Sequence, residues 1–452
     1  MQFLDNSVLP QSAPHLMLLK YLLVLTFIIF FTYTGILFGS LSLSLFFNKK
    51  SVKSGDKLLH NFSKKLIDLI TFNKGVAFAL GVVPLLSAVF CYAQLLHLSN
   101  LDVTGYLLLS LLLFAAGLIL TYTYKYTFHL KDIFKFADEK KDSAKTDESL
   151  KSEIESYSGK TVNIHSKSGL YGLILLAVAV YLFSGAVQLA GDTSRWQTDN
   201  SLFGIIFSFS TLFYFLQFLV LSLALTTSAV LYFFFNSENS SSFDETYRSF
   251  VKSFALSRGL VAVILLPLVI ALTVVVQPIA ALSFGFFEIL TVALILLLVL
   301  SIMFYIMIKE SSIKYRASAI YLLIIIVALL VIKDHFAFDT DTKMHTEVLA
   351  AEYVKYEKKT LEEAGLTAAP AINGADIYNG RCIACHAFDH RVVGPPYNSV
   401  LPKYEGKKDE LVKFIMNPVK KNPDYPSMPN QGLKPNEADA VATWLLQTYK
   451  TK

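Results

Sequence analysis

The sequence predicts an all-α protein, in which eight membrane-spanning helices precede a small helical domain. Three observations support this fold class. Hydrophobic residues make up 54% of the 452-residue chain, more than an ordinary soluble domain carries. They are gathered in long runs whose length matches the thickness of a bilayer. The chain beyond residue 333 is polar again, and it holds a short cysteine and histidine motif.

Eight apolar stretches are long enough to cross a bilayer as helices. They lie at 16–47, 72–98, 103–128, 168–190, 202–235, 257–277, 283–308 and 317–333. Helices are expected because an open sheet edge cannot satisfy its backbone groups in lipid. The sixth and seventh spans meet at Gln277 and Pro278, which form either a tight turn or a re-entrant kink.

Basic residues in alternate loops predict the orientation of the spans. The loops after the first, third, fifth and seventh spans are rich in lysine and arginine, whereas Arg195 is the clear basic residue of the others. Examples are Lys49, Lys50, Lys53, Lys125, Lys131, Lys140, Lys141, Arg248, Lys252, Lys309 and Lys314. By the positive-inside rule the bare loops and both termini face outward. The net charge of +5 therefore reflects topology, and no nucleic-acid partner is predicted.

These patterns divide the chain into three parts. Residues 1–333 form the transmembrane domain. Residues 334–373 form a connector, which contains a polar helix at 343–365 and a short joint. Residues 374–452 form a separate C-terminal domain.

The most informative motif is Cys382-Ile383-Ala384-Cys385-His386. Two cysteines three residues apart, followed at once by histidine, form the attachment pattern of a c-type haem. Each cysteine can bond a former vinyl group of the porphyrin, and His386 can supply an axial nitrogen. The adjacent histidine argues against zinc or thiol redox chemistry. The remaining cysteine, Cys91, lies in an apolar run and is expected to be a packing residue.

The C-terminal domain resembles the class I cytochrome c family. The similarity rests on Gly374-Ala375-Asp376-Ile377-Tyr378 before the motif and on Gly394-Pro395-Pro396 after it. The resemblance implies a small all-α fold with one covalent haem c, in which the Pro395 carbonyl accepts the imidazole proton of His386. It also implies a methionine as second axial ligand and a haem on the outer face of an energy-transducing membrane.

Two methionines are candidates for that ligand. Met428 lies between Pro426 and Pro429, which stiffen an extended loop. Met416 belongs to an amphipathic helical stretch, where core packing is the usual role. We expect His386 and Met428 to be the iron ligands, with no catalytic residue, because a His–Met pair makes an oxidising electron carrier.

The sequence is less specific about the roles of other polar residues in this domain. His390 is expected to be a surface histidine. Several lysines could surround the haem edge and steer an acidic partner, or simply form a solvated face. They are Lys403, Lys407, Lys408, Lys420 and Lys421.

The spans themselves contain few candidate ligands. His15 and His97, near the outer ends of the first two spans, could hold a haem b. Glu288 is the acid well inside an apolar span, and it is either functional, at the lipid boundary, or bonded to Gln277. His15 and the run 72–82 resemble subunit I of the cytochrome bd oxidase superfamily. The third span lacks that family's acidic residues, so haem b and quinone are possible but unsupported cofactors.

The predicted function is that of a monohaem c-type cytochrome subunit in a respiratory electron-transfer complex. It would sit in a bacterial inner membrane with its haem domain in the periplasm, beside other subunits. It would pass single electrons between a quinol or membrane redox partner and a periplasmic cytochrome or terminal oxidase. An electron-transfer subunit is favoured over a self-contained enzyme. The alternative is a cytochrome bd-like oxidoreductase subunit with haem b in the membrane domain.

Overall fold

The computed structural model describes residues 8–139, 148–198, 201–236, 244–364 and 372–450. These residues are helical or irregular, with no strand among them, as predicted. The chain forms two compact units, Met1–Val354 and Lys355–Lys452. The predicted loop lysines Lys140 and Lys141 lie outside the described residues, as does most of the predicted joint. The predicted domain boundaries stay predictions.

The first unit is a bundle of long helices. They are α1 Ala13–Ser54, α2 Lys57–Ile70, α3 Lys74–Leu95, α4 Val103–Glu139, α5 Glu148–Ala190, α6 Phe209–Phe234, α7 Glu245–Val275, α8 Phe284–Lys309, α9 Arg316–Asp341 and α10 Lys343–Glu363. Eight of these, α1 and α3 to α9, are long and apolar enough to cross a membrane, which confirms the predicted number of spans. Shorter helical pieces lie at Thr193–Arg195, Leu202–Ile206 and Ile279–Ala281.

Helix α2 lies where the sequence predicts only a charged loop. The Asp56 carboxylate accepts a hydrogen bond of 2.8 Å from the Leu58 backbone N–H and so starts the helix. Leu59, Phe62 and Leu66 share one face and are buried in a core that also contains α6 and α7. The helix is therefore amphipathic, with its apolar face turned toward the bundle.

Two of the differences between predicted and observed spans affect polar or irregular segments. The stretch 202–235 is divided, because the short helix Leu202–Ile206 ends before α6 begins at Phe209. The last span continues as α9 to Asp341 and so includes Lys333 and Asp334 in the helix. These two residues form an ion pair of 2.5 Å, which makes their place in an apolar bundle tolerable.

Helices α1 and α6 approach each other closely through small residues. A Cβ atom added at Gly39 would lie 2.2 Å from Thr226 Oγ1, and one at Gly35 would lie 2.7 Å from Leu225 Cδ1. The Ser222 hydroxyl donates a hydrogen bond of 2.6 Å to the Gly35 carbonyl oxygen. Glycines one helical turn apart let membrane helices pack backbone against backbone.

The start of α10 packs against the end of the bundle that the loop charges predict to face outward. The Lys20 ammonium group donates hydrogen bonds to Asp339 at 2.5 Å and to Thr346 at 3.0 Å, while Leu349 is buried. Lys20 is itself only 6% exposed.

The second unit contains four short α-helices around one apolar core. They are α11 Gly374–Ile377, which continues as a π-helical turn over Tyr378–Cys382, α12 Tyr397–Val400, α13 Lys408–Met416 and α14 Pro435–Thr448. The first and last cross, and the rings of Tyr378 and Trp444 lie 4.9 Å apart between centroids. This crossing agrees with the fold that the sequence resemblance implies.

Candidate functional site

The cysteine and histidine motif follows directly from the π-helical turn. Backbone N–H groups of Cys385 and His386 both donate to the Cys382 carbonyl oxygen, at 3.1 and 3.0 Å. This tight turn presents the three side chains to one cleft, whose empty volume, including its open mouth, is about 480 Å³. Burial raises the pKa of the Cys382 thiol.

The imidazole of His386 has a defined orientation. Its Nδ1 atom lies 3.0 Å from the Pro395 carbonyl oxygen. A carbonyl can only accept, so Nδ1 carries the proton and the lone pair of Nε2 is left free for a metal. The ring also stacks on Tyr397, with centroids 5.0 Å apart. This arrangement matches the role that the sequence resemblance implies for Pro395.

Gly394 permits this arrangement. A Cβ atom added there would lie 2.2 Å from Cε1 of His386, so the backbone lies directly against the imidazole. The Gly394 N–H donates a hydrogen bond of 2.8 Å to the Cys385 carbonyl oxygen. The loop between His386 and Gly394 is thus closed onto the cysteine motif.

The two candidate methionines lie in different surroundings. Met428 lines the same cleft as Cys382, Cys385 and His386. Met416 ends α13 and packs against the apolar core of the domain. The structure therefore brings Met428, and not Met416, to the lining of the cleft, and the assignment of the iron ligand stays a prediction.

Two arginines that the sequence patterns do not reveal fasten the Met428 loop. Arg381 donates a hydrogen bond of 2.9 Å to the Gln431 carbonyl oxygen. Arg391 donates one of 3.1 Å to the Asp424 carbonyl oxygen, and its guanidinium lies 4.4 Å from the Tyr425 ring centroid. Both acceptors are backbone carbonyls more than thirty residues away along the chain, so the sequence offered no signal for these contacts.

The remaining polar residues of the domain are on its surface. His390 is exposed, with Nδ1 2.7 Å from the Asp389 carboxylate. Three of the candidate lysines have partners inside the domain: Lys407 with Glu410, Lys408 with Asp439 and Lys421 with Tyr404. Lys403 and Lys420 are exposed. None of these lysines is among the described residues that line the cleft, so a solvated face describes them better than a ring.

The two histidines of the predicted haem b pair have different surroundings in the membrane unit. Nε2 of His15 lies 3.2 Å from the Gln94 side-chain oxygen, and Nδ1 of His97 is buried with no hydrogen-bond partner among the described residues. Glu288 is exposed on α8, and Gln277 donates to Tyr214 instead of to this acid. Cys91 is buried in the apolar core, as expected of a packing residue.

The fold and the cleft define a monohaem c-type cytochrome domain that follows a bundle of apolar helices. The family model described as cytochrome c oxidase, cbb3-type, subunit III matches residues 369–445. Cytochrome c-551 of Pseudomonas denitrificans is 32% identical over 78 residues, which cover 94% of that protein and 16% of this chain. Through this domain the chain belongs to the cytochrome c family, which implies a covalent haem c and an electron-transfer role.

Two further relatives show the same extent of similarity. Cytochrome c-551 of Pseudomonas aeruginosa is 35% identical over 71 residues, covering 68% of that protein and 15% of this chain. Cytochrome c-552 of Hydrogenobacter thermophilus is 36% identical over 69 residues, covering 69% of that protein and 14% of this chain. These small shares of the chain describe a single domain and carry no information on the membrane helices.

Proposed function

We propose that this chain is a membrane-anchored monohaem c-type cytochrome subunit of a respiratory electron-transfer complex. It would pass single electrons between a quinol or membrane redox partner and a periplasmic cytochrome or terminal oxidase. The observation that carries the proposal is the cleft shared by Cys385, His386 and Met428, in a chain with eight candidate spans.

The residues around the cleft fit a haem. Cys382 and Cys385 would hold the porphyrin, while His386 and Met428 would bind the iron. The free Nε2 lone pair, imposed by the Pro395 contact, is the donor that iron requires. When bound, the haem supplies reversible one-electron chemistry. The chain itself fixes the imidazole and holds the methionine loop.

The orientation is part of the proposal. Loop charges favour a bundle whose lysine-poor end faces the periplasm. The chain leaves α9 at that end, which would put the haem domain on the periplasmic side of an inner membrane. A soluble cytochrome or oxidase there, and other subunits of the complex, are the expected partners.

The alternative of a cytochrome bd-like subunit takes second place. It would need haem b ligands in the bundle, and its candidate His15 contacts Gln94 at 3.2 Å. The family model covers residues 369–445 and so adds nothing to this alternative.

Haem analysis of the purified full-length protein in detergent tests the proposal. We expect one covalently bound haem c per chain in the pyridine haemochrome spectrum, none extractable by acidified acetone, and a one-electron potentiometric titration. Extractable haem b or d in stoichiometric amounts would contradict it and support the bd-like alternative.

A further inference from the structure

A second cavity lies inside the membrane unit. Its empty volume, including the open solvent at its mouth, is about 720 Å³. Helices α3, α5 and α9 end beside it and α6 begins there, so it lies at the lysine-poor end of the bundle. This cavity is separate from the haem cleft and belongs entirely to the first unit.

One wall of the cavity is aromatic. Phe183 packs edge-on against Phe27 and Phe31, with ring centroids 5.3 and 5.8 Å apart. Tyr92 packs in the same manner against Phe338 at 5.8 Å. These rings offer flat apolar surfaces on which another aromatic ring can stack.

A half-buried polar network also lines the cavity. The Asp334 oxygen Oδ1 accepts hydrogen bonds from the Tyr214 hydroxyl at 2.7 Å and from the Lys333 ammonium at 2.5 Å. Gln277 donates in turn to the Tyr214 oxygen at 2.5 Å. Asp334, Tyr214 and Gln277 all line the cavity. Ionisable residues within membrane spans often mark a ligand site or a proton path, which makes this network a candidate binding site.

Lys333 supports this network from behind. Its side chain is fully buried, and its ammonium lies 4.9 Å from the Phe286 ring centroid and 5.6 Å from that of Tyr214. It is not among the described lining residues, so its charge balances Asp334 without entering the cavity. The second carboxylate oxygen, Oδ2, has no hydrogen-bond partner among the residues that the structure describes. The cavity thus holds a charge-balanced carboxylate with one oxygen to spare.

We propose that this cavity binds a lipid-soluble quinol or quinone. The ring would stack against the Phe27, Phe183 and Phe338 wall, and a quinol hydroxyl would donate to Asp334 Oδ2. This inference rests on the proposed function, since it locates the quinol that the electron-transfer role leaves without a site.

The lining favours a quinone ring over a haem. His335 is the one histidine among the described lining residues, and no methionine is found among them. A membrane haem b is normally held by two protein ligands from facing helices. Gln188 also lines the cavity, and its amide nitrogen can donate to the second oxygen of a quinone.

Binding of a quinol analogue to the full-length protein tests the site. The probe is 2-heptyl-4-hydroxyquinoline N-oxide; ultrafiltration separates its free fraction, which is measured by its own fluorescence and does not depend on the haem. We expect one probe molecule per chain, with binding weakened at least tenfold by Asp334→Asn and by Val187→Phe, which narrows the cavity. Glu288→Gln, the matched change at an exposed acid of α8, should leave binding unchanged.

A double variant covers the risk of misfolding. Asp334→Asn leaves Lys333 as an unpaired buried cation, so Lys333→Met with Asp334→Asn removes both charges together. This double variant should also lose probe binding while keeping the haem c spectrum. Absence of probe binding to the unaltered chain, or equal binding by all variants, would overturn the proposed site.

Four further outcomes decide between the two proposals. Release of a non-covalent haem from the unaltered chain, but not from the His335→Ala variant, would overturn the quinol assignment. Displacement of the probe by phospholipid as readily as by quinol would overturn it as well. A chain that binds the probe but whose haem is not reduced by quinol would contradict the quinol donor and leave the binding site standing. A chain that has a one-electron haem c but binds no probe would overturn the proposed cavity site and leave the electron-transfer role standing.

Discussion

The imidazole of His386 is held on three sides. The Pro395 carbonyl oxygen accepts from Nδ1 at 3.0 Å, the Tyr397 ring stacks at 5.0 Å, and the Gly394 backbone lies against Cε1. These contacts fix both the tautomer and the rotation of the ring before any iron is bound. Such preorganisation is what a metal ligand needs from its neighbours.

Gly394→Ala should therefore disturb haem binding. The added Cβ would lie 2.2 Å from the imidazole, and relieving such an overlap costs about 1–3 kcal/mol. We expect less haem-loaded protein and a lower thermal midpoint, measured by haem stain and by circular dichroism. Gly380→Ala is the matched control, because its Cβ would meet nothing within 4 Å. Equal effects of both substitutions would remove the special role of Gly394.

Met428→Ala and Met416→Ala should separate ligand from core residue. Loss of a thioether ligand should abolish the weak charge-transfer band at the red end of the oxidised spectrum. It should also lower the reduction potential by about 0.1–0.3 V, within the ~0.8 V range that axial ligands span. Met416→Ala should keep the band and mainly reduce stability. The opposite pattern would transfer the ligand role to Met416.

Among single residues, the sequence predicted those that would bind the haem better than those that hold the surrounding loop in place. The motif spacing and the two prolines around Met428 led to the residues that the structure gathers at one cleft. Arg381 and Arg391 were missed, because their partners are backbone carbonyls at Gln431 and Asp424. Contacts to distant carbonyls leave no pattern in a sequence. Asp334 was missed because hydropathy alone ends the last apolar run at residue 333.

Among the elements, helix length was predicted from hydrophobic thickness alone. That argument gives the number of spans but not the extent of α4, α5 or α7, which continue beyond the apolar runs. It also overlooks α2, whose apolar residues recur at helical spacing instead of forming a run. The break between the short helix Leu202–Ile206 and α6 was not predicted either, because the apolar composition continues across it.

The crossing of α1 and α6 leads to a prediction for the bundle. Gly39→Val would add a Cβ atom only 2.2 Å from Thr226 Oγ1, so the two helices would have to separate. We expect a loss of about 1–3 kcal/mol in stability and a lower melting temperature in detergent. Gly159→Val in α5, where a Cβ meets nothing within 4 Å, should change the melting temperature little. A similar loss in both variants would argue against a tight α1–α6 contact.

For the whole molecule, the proposed orientation can be measured directly. Thr198→Cys lies in the lysine-poor loop before α6, and Lys314→Cys lies between α8 and α9; both side chains are exposed. In intact spheroplasts a membrane-impermeant maleimide should label the first and not the second. Both should react after permeabilisation. Labelling of only the Lys314→Cys variant would indicate the opposite topology, with the haem domain in the cytoplasm.

The Lys333–Asp334 pair has a consequence for how the bundle is made. A lone charge costs about 2.5–3.5 kcal/mol at the centre of an inserting helix, and Lys333 and Asp334 lie in the last third of α9. The side chains that contact them, Tyr214 and Phe286, precede them in the chain, as does Gln277, which donates to Tyr214. Because the ribosome releases the chain from its N-terminus, α6, α7 and α8 leave it before α9. Helix α9 thus enters the membrane after the side chains that contact its two charges have been synthesised. Synthesis therefore makes those side chains before the charges need them.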